Sequence, residues 1–205
     1  MQTVKIKHFD YGTAETAYLK KSDPALGEAI ERLGRVERVV IPDLFHALLY
    51  AIIGQQVSAK AAQTVWRRLQ ESIEDITPKK ISETSVQEIQ KYGMTVRKAG
   101  YIVDAAKKMN EGSFNLEELK GLSDSEVIDR LSSLNGIGKW TAEMLLINSM
   151  ERQDIVSWGD LAIRRGMMKL YGNTEITKEQ FDEYKNRYSP YGSVASIYLW
   201  RISFE

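Results

Sequence analysis

The sequence predicts an all-α protein built of many short helices, and three observations point that way. Helix-starting and helix-stopping residues recur along the whole chain, apolar residues between them fall three and four apart, and strand-like alternation occurs only near residues 3–9. The 205 residues suffice for one domain or two closely joined lobes with a sizeable core.

Asp23-Pro24 reads as an N-cap followed by proline at the first helical position; Leu26, Ile30 and Leu33 mark one face, and Gly34 ends the helix. Residues 36–41 read as a short apolar linker halted by Pro42. Asp43 caps a helix through Ile53 that buries Leu44, Ala47, Leu48, Ala51 and Ile52. Ser58 caps the next, with Ala61, Val65 and Leu69 on one face. Thr77-Pro78 starts a short turn, and Ser85 with Glu88 has capping-box spacing. Thr95 opens a longer helix past Met109, closed near Gly112, and Ser123 with Glu126 forms a second capping box. After the break at residues 134–138, a helix is expected from Lys139 to Met150. Asp160 heads another that stops at Gly172, Thr177 begins one ending before Pro190, and the last runs from Gly192 to Phe204.

Composition narrows the function classes. Hydrophobic residues make up 43% and charged residues 27%, as in soluble globular chains. No stretch approaches the roughly 20 apolar residues of a membrane helix, and the first seven residues alternate polar and apolar without a signal-peptide apolar run. A cytoplasmic location is the default expectation. Cysteine is absent, which excludes disulfides, thiolate metal sites and iron–sulfur clusters. His8 and His46 are not spaced as a metal pair, so no transition metal is implied. The formal net charge is zero, which argues against indiscriminate phosphate binding; nucleic-acid binding must rest on a local site.

Such a site is available at Gly136-Ile137-Gly138, between two helices. A turn this tight calls for backbone angles costly to other residues and brings main-chain N–H groups close to a partner. The following helix aims its unpaired N–H groups and positive dipole end at the same spot, which suits a DNA phosphate. Lys139 adds a charge and Thr141 a hydroxyl. By itself the glycine pattern also fits an ordinary helix corner.

The run from Leu134 through Ala142, followed by Val156-Ser157-Trp158-Gly159-Asp160, resembles the helix-hairpin-helix-GPD superfamily of DNA glycosylases. Within it the chain is most similar to the DNA-3-methyladenine glycosylase II family of alkylpurine glycosylases. The segment from Gly54-Gln55-Gln56 to Ser58 and the C-terminal run from Pro190 to Trp200 carry that closer likeness. Two departures stand out. Trp-Gly-Asp occupies the loop before the aspartate, and about 40 residues ahead of the matching part leave no room for the β-rich domain of some bacterial relatives.

The resemblance implies two helical lobes with a DNA-binding cleft between them, residues 43–135 forming the central one and 1–42 with 136–205 the second. It implies a monofunctional glycosylase acting on alkylated bases in duplex DNA as a monomer, with Asp160 as the catalytic carboxylate. Asp160 also reads as a plain helix N-cap. DNA contacts fall to Gly136, Ile137, Gly138, Lys139, Thr141, Gln55, Gln56 and Ser58, with Gln56 filling the gap left by a flipped base and Gln55 supporting it. Trp140, Trp158 and Trp200 are candidates for the base pocket, since aromatic faces bind a cationic purine; core packing is the alternative for each. The relatives that also cut the strand carry a lysine where Trp140 stands, so no lyase activity is expected. No cofactor is implied beyond a monovalent cation, sodium or potassium, on the backbone carbonyls of Ser132, Leu134 and Ile137. Three other readings remain: a glycosylase for mismatched or oxidised bases, a non-catalytic hairpin module that grips DNA, and a helical interaction protein.

Overall fold

The computed structural model describes residues 7–205, so the part of the expected strand at residues 3–6 lies outside them. Among the described residues are twelve α-helices and a two-stranded antiparallel ribbon. No helix there is long and apolar enough to cross a membrane. The chain divides into two compact units, one of residues 41–145 and one of residues 7–40 with 146–205.

The first unit is built around α7 (Val96–Asn110), which packs against α3 (Leu44–Gly54), α5 (Pro78–Glu83) and α6 (Val86–Gln90). Its Ala99, Ile102, Val103 and Ala106 are buried at helical spacing. α4 (Ala59–Ser72) lies against α3 and buries Val65, Trp66 and Leu69. Side-chain caps start these helices: the carboxylate of Asp43 accepts from the His46 N–H at 2.8 Å and the Ser58 hydroxyl from Ala61 at 3.2 Å. Both capping boxes are formed, at Ser85–Glu88 and at Ser123–Glu126, the latter opening α8 (Asp124–Ser132). His46 is structural: its Nε2 lies 2.9 Å from the Ile76 carbonyl oxygen, and its ring meets Trp66 edge-on. A 3-10 turn at Glu117–Gly121 went unforeseen; its one buried side chain, Leu119, is too little to set a period. α9 (Lys139–Asn148) begins in this unit and is buried on every side from Thr141 to Ile147.

The second unit is built around α12 (Gly192–Ile202), in which every residue except Arg201 is buried. Val194, Ile197, Leu199 and Ile202 each contribute roughly 1.5–3 kcal/mol by leaving water. α1 (Thr13–Ser22), α2 (Pro24–Leu33), α10 (Leu161–Tyr171) and α11 (Lys178–Tyr188) pack around it. α1 escaped sequence reading because it buries only Leu19 and its N-cap, Gly12, offers no side-chain oxygen. The stretch read as a linker is in part a strand: β2 (Val39–Val40) pairs with β1 (Lys7–His8) in the register Lys7 opposite Val40. Two residues per strand are too few to show alternation.

The unit boundary falls at 145/146 rather than at 135/136, so the whole Gly136–Gly138 loop belongs to the first unit.

Candidate functional site

In the first unit, the Gln-Gln segment and the glycine loop are tied together. Gln55 is the C-cap of α3, and its side-chain amide donates to the Gly136 carbonyl at 2.7 Å. The Lys98 ammonium, from the first turn of α7, donates to the carbonyls of Ile53 at 2.8 Å and Gln55 at 2.5 Å. It thereby satisfies carbonyls at the end of α3 that lack intrahelical partners, and burial lowers the Lys98 pKa. Gln56, held at φ +56°, is exposed. A left-handed backbone at a non-glycine residue costs of order 1–3 kcal/mol, a strain that collects at functional positions. Val57 beside it is exposed too, and Ser58 caps α4.

The loop itself rests on α7. Asn135 donates to the Asp104 carboxylate at 3.0 Å, and a Cβ at Gly136 would stand 2.3 Å from the Tyr101 ring. Only one of the two glycines is demanded by the fold. Gly136 takes φ +84°, whereas Gly138 has no positive φ and a Cβ there would meet nothing within 4 Å.

The remaining loop residues part ways. Ile137 is buried and its N–H donates to the Leu134 carbonyl at 3.1 Å, so this amide closes the turn. The first rung of α9 runs from Ala142 N–H to the Gly138 carbonyl at 3.0 Å, which sets the amides of Gly138 and Lys139 ahead of the helix ladder. Lys139 and Trp140 are exposed, Trp140 by 45%. Thr141 is buried at 6% exposure, turned inward with the rest of α9 instead of standing beside Lys139. Ser132 ends α8, and the Leu134 carbonyl keeps one lone pair beyond its bond to Ile137. These are hard oxygen donors of the kind an alkali cation accepts.

In the second unit, Asp160 is the N-cap of α10 and is 6% exposed. Its Oδ1 accepts from the N–H groups of Ala162 at 2.9 Å and Ile163 at 3.0 Å. These bonds fix the orientation of the carboxylate at the start of α10. The loop leading to it is pinned by α12. The Ser193 hydroxyl donates to the Arg152 carbonyl at 2.5 Å and accepts from the Ile155 N–H at 3.0 Å, and the Ser196 hydroxyl donates to the Ile155 carbonyl at 2.8 Å.

Close packing of α10 on α12 holds Asp160 and Trp200 on one frame: a Cβ on Gly166 would lie 2.2 Å from the Leu199 carbonyl oxygen. Trp200 is 9% exposed, and the Arg38 guanidinium lies over its ring, 4.1 Å from the centroid. Arg38 Nε donates to Asn148 Oδ1 at 2.9 Å, while the Arg38 carbonyl accepts from the Phe9 N–H at 2.8 Å. Burial lowers the Arg38 pKa and the Asp160 charge partly restores it; arginine stays protonated in any case.

Trp158 is not an open platform. Its ring meets Phe181 edge-on with centroids 5.1 Å apart, while Arg164 lies 4.7 Å and Lys178 5.7 Å from its centroid. Its π system is engaged by its own chain, as that of Trp200 is by Arg38.

Sequence reading missed Lys98, Tyr101, Asp104, Arg38 and Asn148. Arg38 had a signal, as the only cation inside the apolar run from Val36 to Ile41. Lys98 and Tyr101 precede the apolar stripe of α7 by one residue each, with no sign of a partner. Among the described residues there is no cluster of three or more His, Cys, Asp or Glu able to hold a metal ion.

Comparison with known proteins adds lineage to this geometry. Residues 49–190 match the family described as HhH-GPD superfamily base excision DNA repair protein. A protein named DNA-3-methyladenine glycosylase 1 from Schizosaccharomyces pombe is 32% identical over 169 residues, covering 78% of this chain and 72% of its own length. The crystal structure of a DNA-3-methyladenine glycosidase from Bacillus halodurans superposes with a TM-score of 0.84 at 31% identity, over 97% of this chain and 92% of that one. A 3-methyladenine DNA glycosylase from Schizosaccharomyces pombe, solved with abasic DNA, gives 0.80 at 28% identity, over 92% and 96% of the two chains.

Proposed function

Because the chain belongs to the HhH-GPD superfamily of base excision DNA repair proteins, we propose that it is a monofunctional DNA glycosylase. It hydrolyses the N-glycosidic bond of alkylated bases such as 3-methyladenine in duplex DNA, with Asp160 as its catalytic carboxylate. The observation that carries this reading is the setting of Asp160: a buried carboxylate, oriented by two main-chain N–H groups, on the same frame as Trp200 and Arg38.

Breaking the bond from sugar to base leaves positive charge on the sugar in an oxocarbenium-like transition state. A carboxylate held rigid before the reaction begins stabilises that charge and orients the attacking water. The N-cap bonds hold the Asp160 carboxylate in one orientation for this task. In the first unit, Lys139 and the amides of Gly138 and Lys139 grip a phosphate, needing little net positive charge on the molecule. Gln56 fills the gap left by the extruded nucleotide, and Gln55 fixes the glycine loop beneath it. Trp140 offers an exposed ring and Trp200 a buried one for the base. The carbonyls of Ser132, Leu134 and Ile137 suit a monovalent cation, which would neutralise the negative end of α8 next to the phosphate grip. Trp140 stands where strand-cutting relatives carry their amine, and Lys139 faces the phosphate. Borohydride should therefore trap no enzyme–DNA adduct.

The test is incubation with methylated duplex DNA while free purine is followed. Wild-type protein should release 3-methyladenine. Asp160→Asn should fold and bind the same duplex, with release slowed about 100-fold or more. Excision at the wild-type rate by that variant would remove Asp160 from the chemistry. Binding without any release by the wild type would leave a DNA-gripping module in place of an enzyme.

A further inference from the structure

We propose that Arg38 is a specificity-determining residue of this active site, placed to help neutral damaged purines depart and so to narrow the lead of the cationic alkylated ones. The inference rests on the glycosylase reading above and goes beyond it, because it names which charge class of base Arg38 helps to depart.

The geometry begins with how firmly Arg38 is held. Its carbonyl is bonded to the Phe9 N–H at 2.8 Å, next to the β1–β2 ribbon, and its Nε donates to Asn148 at 2.9 Å. Its guanidinium carbon lies over the Trp200 ring, 4.1 Å from the centroid. With its backbone bonded to Phe9 and its side chain held at two points, Arg38 is a fixed charge, not a mobile surface arginine. It also lies close enough to Asp160 to feel that carboxylate's field.

This placement matters for the leaving group. When the bond between C1′ and the base nitrogen breaks heterolytically, both electrons leave with the nitrogen. A methylated purine cation departs as a neutral base. A neutral purine such as hypoxanthine departs as an anion, which then takes up the proton released when water adds to C1′. The sum in either case is one water consumed, one base freed and one abasic sugar formed. A guanidinium beside the departing ring stabilises the anion and gives nothing to the neutral product. It also occupies a face of Trp200 that would attract a cation, and it meets a cationic base with like charge. Both effects shift preference toward neutral lesions.

The experiment is single-turnover base release from two duplexes, one carrying 7-methylguanine and one hypoxanthine, measured on the same protein preparation. The ratio of the two rates is independent of the fraction of protein that is folded, so a loss of stability does not obscure it. Arg38→Met and Arg38→Gln should each lower hypoxanthine release at least about tenfold relative to 7-methylguanine release. Arg38→Lys should recover part of the ratio. An unchanged ratio in both neutral variants overturns the proposal while leaving the glycosylase reading intact. Release of 7-methylguanine but no hypoxanthine by the wild type does the same. Release of neither base, by protein that binds both duplexes, overturns the glycosylase reading and this proposal with it.

Discussion

At the scale of single residues, the two hairpin glycines do different work. Gly136 has φ +84° and the Tyr101 ring against its α-carbon, while Gly138 has open space and no positive φ. Gly136→Ala should therefore cost about 2 kcal/mol, from the left-handed backbone and the displaced ring. Gly138→Ala should leave the denaturation midpoint within about 0.5 kcal/mol of wild type yet weaken duplex binding, measured by fluorescence anisotropy at fixed salt. Equal loss of stability in the two variants would remove the distinction. Gln55 supports the same loop through one bond to the Gly136 carbonyl. Gln55→Ala should cost about 1 kcal/mol and quicken hydrogen exchange at Gly136 and Gly138.

At the scale of elements, α10 and α12 form one rigid pair, and the pair sets where Asp160 and Trp200 stand. Gly166 is the point of closest approach; the atom a methyl group would strike, the Leu199 carbonyl oxygen, belongs to backbone and cannot turn aside. Gly166→Ala should cost roughly 3 kcal/mol or more, visible as a lower denaturant midpoint with an unchanged slope. Base release should fall with it even under conditions where the variant is folded, because the helix that carries Asp160 must move. Helix starts were legible in the sequence because caps act within one turn: Asp23, Asp43, Ser58, Thr77, Ser85, Thr95, Ser123, Asp160 and Thr177 all accept from a backbone N–H two or three residues on. α1 was not legible because Gly12 offers no such oxygen.

At the scale of the whole molecule, the second unit carries a set of buried phenols that couples its stability to alkaline pH. Burial raises the Tyr171, Tyr188 and Tyr198 pKa values above the usual phenol value of about 10. Tyr171 also donates to Asp23 at 2.7 Å and lies 2.6 Å from the Tyr188 oxygen. In the folded chain these hydroxyls keep their protons at a pH where the unfolded chain gives them up. Their contribution to stability is thus fully present below pH ~10 and is lost as pH rises beyond it. Urea midpoints should stay level from about pH 7 to 9 and drop above about pH 10. A midpoint that stays level above that pH would show the phenols ionising alike in both states.

The residues alone specified an all-helical chain, its helix starts, the glycine hairpin and the aspartate that heads a helix. Each of these is written in interactions that span four residues or fewer, so chain order suffices to read them. Folding decided which side chains from distant segments share a place: Gln55 with Gly136, Tyr101 under the loop, Arg38 on Trp200. It also decided that Trp158, beside the aspartate in the chain, is occupied by Arg164 and Lys178. Such pairings have no period and no fixed spacing, because packing in three dimensions selects them, and no local pattern in the chain records the choice.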